Sequence, residues 1–280
     1  MSDTRPPETG TDPLRARLDA ARAIAEEVGR YLLARHGRRV EASEKPGAGI
    51  SIPIDAEGER IARDRLSQFF PDDAVHGEEF PPTAGTSGYT WIIDPLDGTT
   101  NYSLGLPIFA TAIACLFESE VVIAVVHAPA LGYQYSACRG EGAYQNGRPI
   151  QVGLVQELRH AVFMINKAYH PTDRLLAVAG PLIDRLRTFR IYGCVSLDLC
   201  FAAEGHVDGV LLLPTNVWDF AAGLLVLLEA GATVYSNVGL IEQPVLDVST
   251  RLGILAANPT LSAAAAALVD WEKIDRSPVS

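Results

Sequence analysis

Residues 91–102 read WIIDPLDGTTNY, an apolar strand that runs directly into two aspartates and then into Gly-Thr-Thr. Pro95 disfavours helical backbone at Asp94, so the strand stays extended through Asp94 and turns after it. Asp94 and Asp97 then flank the turn and direct both carboxylates into one small volume. Two carboxylates so placed repel each other unless a cation lies between them. Hard divalent ions such as Mg2+ favour oxygen ligands of this type, and the Leu96 carbonyl is a further candidate ligand. Gly98-Thr99-Thr100 marks the entry to a helix or tight turn, where unpaired N–H groups can hold an anion and a threonine hydroxyl can orient water. Carboxylates for a metal beside an anion-holding turn outline a phosphate-ester site. The same residues also fit a strand followed by an Asx-type turn.

Two further stretches extend the pattern. HGEEF (76–80) carries Glu78 and Glu79, which fit either solvated surface or a carboxylate contribution to a site. WDFAAG (218–223) puts Asp219 at the opening of the apolar helix FAAGLLVLLEAG, where it fits an N-cap, or a cap whose other oxygen faces a metal. In order, Gly-Glu-Glu, Asp-Pro-x-Asp-Gly-Thr-Thr and Trp-Asp-x-Ala-Ala-Gly resemble the motifs of the inositol monophosphatase family of Mg2+-dependent, lithium-sensitive phosphatases. The resemblance runs from about residue 12 to residue 270 and includes GEGAYQNGRPIQV (140–152), YGCVSLDLCFAAEGHVDG (192–209) and EAGATV (229–234).

The resemblance implies that Glu78, Asp94, the Leu96 carbonyl, Asp97 and Asp219 are ligands for two or three Mg2+ ions, with Mn2+ able to substitute. It implies that Glu78 and Thr99 position and activate the attacking water. Substrate would touch Asp97, Asp219 and the amides of Gly98 and Thr99 at its phosphate, and Gly193, Cys194 and Val195 at its alcohol. Asp55 matches an acidic position that supports a metal site near Glu78. The implied reaction is hydrolysis of a small phosphorylated alcohol or sugar without a covalent phosphoenzyme. The implied fold is α/β (α+β), a layered αβαβα sandwich of the sugar-phosphatase type, assembled as a homodimer.

The chain departs from the family pattern in places. GAGISIPIDAEGE lacks the first Asp of the usual D-x-V-T-x-A-D, so the third metal is expected to be altered. GVLLLPTNVWD offers Leu211, Leu212 and Leu213 where inositol-specific members carry an acid that contacts the ring. Val195 is bulky, and AGATV is not followed by Asp. The alcohol pocket is therefore expected to be more apolar than usual, which argues against inositol as the main substrate. Histidinol phosphate and fructose 1,6-bisphosphate are the alternative esters. Asp198 is available either to a histidinol ammonium or as a structural residue inside a helix. Thr100 speaks against a 3′-phosphoadenosine-5′-phosphate phosphatase. A non-catalytic regulator that keeps the fold is the alternative of another class. Cys194 has no companion base and is not expected to be a nucleophile; His76, His127 and His206 are expected to be structural or exposed.

The elements that must position these residues follow from periodicity. Leu14, Leu18, Ala21, Ile24, Ala25, Val28, Leu32 and Leu33 predict a helix over 12–36, and a second is expected over about 55–70. Strands are expected at YTWIID, 107–117, 121–128, 132–137 and 143–145, with turns at FESE, APALG and NGRP. Beyond these, strands near 160–165, 187–192, 208–213, 232–236 and 252–257 alternate with helices near 172–186, 195–205, 218–230 and 260–270. This divides the chain into a disordered 1–12, an α+β half over 13–150 with the metal-binding motifs, and an α/β half over 151–280 that completes the site. The 280 residues carry a net charge of −11, which argues against general binding to nucleic acid or anionic membranes. Four scattered cysteines fit reduced thiols. With no signal peptide or membrane span expected, the reading is a cytoplasmic protein whose partner is a small phosphorylated metabolite.

Overall fold

A computed structural model describes residues 13–37, 43–45 and 49–274; the expectation for residues 1–12 lies outside that set. Helix α1 (Pro13–Leu33) opens on a proline, whose missing N–H costs nothing in a first turn. It buries Leu18, Ala21, Ile24, Ala25, Val28 and Leu32 along one stripe. A short ribbon of β1 (Ser43–Lys45) and β2 (Gly49–Ser51) leads into α2 (Pro53–Phe69). Here too proline opens the helix, two residues before the expected start, and Asp55 in the third position accepts the Ile52 N–H at 3.0 Å.

The first sheet takes its seven strands in chain order: β3 (Ala74–Gly77), β4 (Tyr89–Asp97), β5 (Ala110–Phe117), β6 (Glu120–Ala128), β7 (Tyr133–Cys138), β8 (Ala143–Gln145) and β9 (Arg148–Ile150). Only β3 and β4 run parallel; every later pair is antiparallel. The unforeseen β9 arises because Asn146 and Gly147, at φ +49° and +77°, make a two-residue hairpin turn whose twist suits the flanking strands. The short helix α3 (Thr99–Ser103) follows β4.

The second sheet contains β10 (Val162–Asn166), β11 (Thr188–Arg190), β12 (Gly209–Asn216), β13 (Thr233–Ser236), β14 (Gly239–Ile241) and β15 (Arg251–Ala257), ordered β11-β10-β12-β15-β13-β14. The helices α4 (Thr172–Ile183), α5 (Val195–Ala203), α6 (Val217–Glu229) and α7 (Pro259–Ala266) complete the set. Strand alternation sorts the apolar side chains into separate cores. Trp91 and Ile93 pack with α1 and α2, whereas Ile92 faces the opposite side toward α5 and α6. Leu212 looks into that same central core, and Leu211 and Leu213 face α4 and α7. The result is a layered α-β-α-β-α sandwich, as expected. The central helices are buried on all sides, so α5 and α6 are apolar around most of their circumference.

Candidate active site

β4 does not stop at Asp94. It continues to Asp97 through a bulge, with Asp94 opposite Ala112 and Asp97 opposite Ala110. Pro95 has no N–H to give to the ladder, and the extra residue re-aims the strand end. The Pro95 carbonyl accepts from Thr111 Oγ1 at 2.9 Å, and Asp94 Oδ1 accepts the Leu96 N–H at 3.0 Å. The turn then closes at Gly98, whose φ of +87° favours glycine and where a Cβ would lie 2.8 Å from the Ile108 carbonyl. The first-turn amides of α3 have no partner within the helix, and Thr99 Oγ1 donates to the Leu96 carbonyl at 2.9 Å.

Asp97 is held from the far side. Its carboxylate accepts the Val195 N–H at 3.1 Å, both the N–H and the hydroxyl of Ser196 at 2.6 Å, and the Cys194 thiol at 3.2 Å. Cys194, expected from sequence to line the alcohol pocket, is therefore not part of the cavity wall. It is fully buried behind Asp97 and absent from the cavity lining, whereas Gly193 and Val195 do line it. Burial, with the charges of Asp97 and Asp198, pushes the Cys194 thiol well up, which makes a thiolate nucleophile untenable.

Glu78 follows β3, its N–H donating to the Ile93 carbonyl at 3.3 Å. The turn is fixed from below by Glu59 of α2, a fully buried carboxylate that accepts from Arg63 Nε and from the Glu79 N–H, both at 2.6 Å. Gly77 makes this possible, because a Cβ there would sit 2.3 Å from the Glu59 carboxyl. Glu59 was not anticipated; its signal is the acid four residues after Asp55 on the same helical face.

Asp219 is not the N-cap. Asn216 takes that place, and Asp219, at the third helical position, accepts the Asn216 N–H at 3.0 Å and the Thr215 hydroxyl. Trp218 packs against the His76 ring, 5.5 Å between centroids.

Glu78, Asp94, Leu96, Asp97, Gly98, Thr99, Thr215 and Asp219 all line one cavity of about 510 Å³. Burial, then the charges of Glu78, Asp97 and Asp219, raise Asp94 well above the carboxylate range. Burial, then Glu78 and Asp97, push Asp219 up to about 8. Asp97 is also raised by burial, against the donors from residues 194–196. The donor set of carboxylates and a carbonyl fits a hard divalent cation in type. Among the described residues, no three His, Cys, Asp or Glu side chains already stand close enough to cage an ion.

The three leucines expected to make the alcohol pocket apolar are not part of the cavity wall. Leu211, Leu212 and Leu213 are core residues of β12 and do not reach the cavity, which Asn166, Lys167, Tyr169, Ile191 and Tyr192 line instead. Asp198 lies beneath, fully buried, and accepts from Asn166 Nδ2 at 3.0 Å, so its role is structural. The sequence signal for this wall was an apolar strand ending in Asn-Lys, the same strand-end pattern that marked Asp94. A larger cavity of about 810 Å³ lies between α1 and β6–β8. Polar groups there tie helix to sheet, as in Arg22 Nη2 to Ser136 Oγ at 2.9 Å.

Comparison with known proteins gives a match to the Inositol monophosphatase family over residues 13–272. A Thermotoga maritima relative named fructose-1,6-bisphosphatase/inositol-1-monophosphatase is 35% identical over 223 residues, covering 78% of this chain and 84% of the relative. The Escherichia coli K12 protein named Nus factor SuhB is 33% identical over 204 residues, 71% and 76% of the two chains. A solved structure of a Thermotoga maritima IMPase superposes with a TM-score of 0.81 at 31% identity, covering 92% of this chain and 99% of that one.

Proposed function

The chain belongs to the inositol monophosphatase family of phosphomonoesterases, and from that premise we propose that it hydrolyses a small phosphorylated alcohol or sugar by Mg2+-assisted attack of water. The observation that supports this reading is the shared cavity, in which the acids of three separate motifs meet the first turn of α3. Glu78, Asp94, the Leu96 carbonyl, Asp97 and Asp219 are the donors assigned to the ions. Bound Mg2+ supplies the charge that acidifies water and offsets charge on the phosphoryl and leaving oxygens. Glu78 accepts the proton of the water and holds it in line. The Thr99 hydroxyl, already donating to Leu96, offers its lone pairs to the same water. The Gly98 and Thr99 amides hold the phosphate. Gly193 and Val195 bound the alcohol from the α5 side.

A panel of phosphate monoesters assayed with Mg2+, with Mn2+ and with excess chelator tests this reading. Metal-dependent turnover is expected, along with inhibition by lithium. Full activity in chelator would sink the metal mechanism. The relative named as a Nus factor favours a second reading, a partner-binding regulator on the same fold; a complete lack of turnover across the panel would leave that reading standing. The family premise also extends to a homodimer in the cytoplasm, checked by light scattering and fractionation. Among the described residues no helix is long and apolar enough to cross a membrane.

A further inference from the structure

The cavity that gathers the acids has one cationic side chain among its described lining residues, Lys167. It lies on the alcohol wall, just past the end of β10, and forms no ion pair among the described residues. Its ammonium donates to the His170 carbonyl at 2.9 Å, and its two other hydrogens meet no partner among the described residues.

The segment that carries Lys167 is built rather than loose. Asn166 Nδ2 is anchored on buried Asp198 at 3.0 Å, and Asn166 Oδ1 accepts the Ala168 N–H at 2.8 Å. Ala168 is held at φ +47°, a left-handed conformation that an alanine adopts only when its surroundings impose it. The buried ring of His170 meets the Pro214 carbonyl at 2.9 Å, tying the far end of the turn to β12. A pinned lysine without an ion pair among the described residues is not spent on neutralising their carboxylates. It offers a point charge to whatever occupies the alcohol side.

We propose that Lys167 reads a second anionic group on the substrate, so that this chain prefers phosphate esters whose alcohol bears a phosphate or a carboxylate. The inference rests on the phosphomonoesterase reading above and names the substrate class for that site. Tyr169 and Tyr192, which line the same cavity, would flank the bound alcohol.

Two matched pairs of esters test it: fructose 1-phosphate against fructose 1,6-bisphosphate, and glycerol 3-phosphate against 3-phosphoglycerate. The wild-type protein with Mg2+ is expected to favour at least one doubly anionic partner by about 10-fold or more in kcat/KM. Lys167→Met should erase that preference, mainly through KM, and Lys167→Arg should keep most of it. The pair that responds identifies phosphate or carboxylate as the group read. An equal loss on all four esters would mean that Lys167 acts on the scissile phosphate; that outcome, or a wild type without preference, overturns the inference while the phosphatase reading stands. No turnover of any ester with metal overturns both.

Discussion

Asp219 carries two loads, and they can be separated. It caps the first turn of α6 through the Asn216 N–H and the Thr215 hydroxyl, and by our proposal it is also a metal donor. Asparagine can still accept both hydrogen bonds but lacks the charge. Asp219→Asn should therefore fold, and its kcat should drop by ~10²-fold or more. An unfolded variant whose residual folded fraction is fully active would reduce Asp219 to a cap. Proton linkage gives a second readout. A carboxyl whose folded pKa is raised to about 8 contributes stability at about pH 4 that is lost as pH rises through 8. In chelator, the melting temperature of Asp219→Asn should gain on wild type between those limits; a constant gap would show that Asp219 carries no such burden. At this scale type and spacing singled out the acids but left turn, surface and cap readings open, and the order of the three motifs in the family resemblance joined them into one site. The roles of Cys194 and Asp198 were not legible, because both answer to partners far along the chain.

At the level of elements, the strand-end bulge at Pro95 and the Gly77–Glu59 contact decide where carboxylates point. Gly77→Ala pushes a Cβ into the Glu59 carboxyl. It should cost about 1–3 kcal/mol in stability and, by moving Glu78, lower kcat ~10-fold or more. Asp72→Asn, on an exposed turn nearby, is the control and should change neither quantity. Equal effects of the two substitutions would remove Gly77 from the positioning of Glu78. Helices α1 and α2 and most strands were legible because their apolar periods are regular. β3, β9 and β14 were missed, being three or four residues long and specified by a turn or a neighbour rather than by their own pattern. The place of Leu211, Leu212 and Leu213 was misread for a related reason. Three leucines in sequence suggested that they face the pocket, but β12 alternates them between two cores, and it reaches the cavity only further along, at Thr215.

For the whole molecule, the mutual repulsion of buried acids predicts that divalent metal binds the folded state alone. Saturating Mg2+ should raise the melting temperature by several degrees through mass action. Activity should fall in acid as the donors take up protons. A melting temperature indifferent to Mg2+ would speak against the site as assigned. The hydrogen bonds on Asp97 have a consequence for how the protein comes into being. The groups that grip this carboxylate, residues 194–196, are made almost a hundred residues after it. Asp219 emerges later still. A nascent or prematurely ended chain thus holds Glu78, Asp94 and Asp97 with neither the clamp nor the last acid. On the proposed assignment the order of synthesis is itself a safeguard: a fragment ending before residue 194 is expected to hydrolyse no phosphate ester, and measurable turnover by such a fragment would show that the clamp on Asp97 is dispensable.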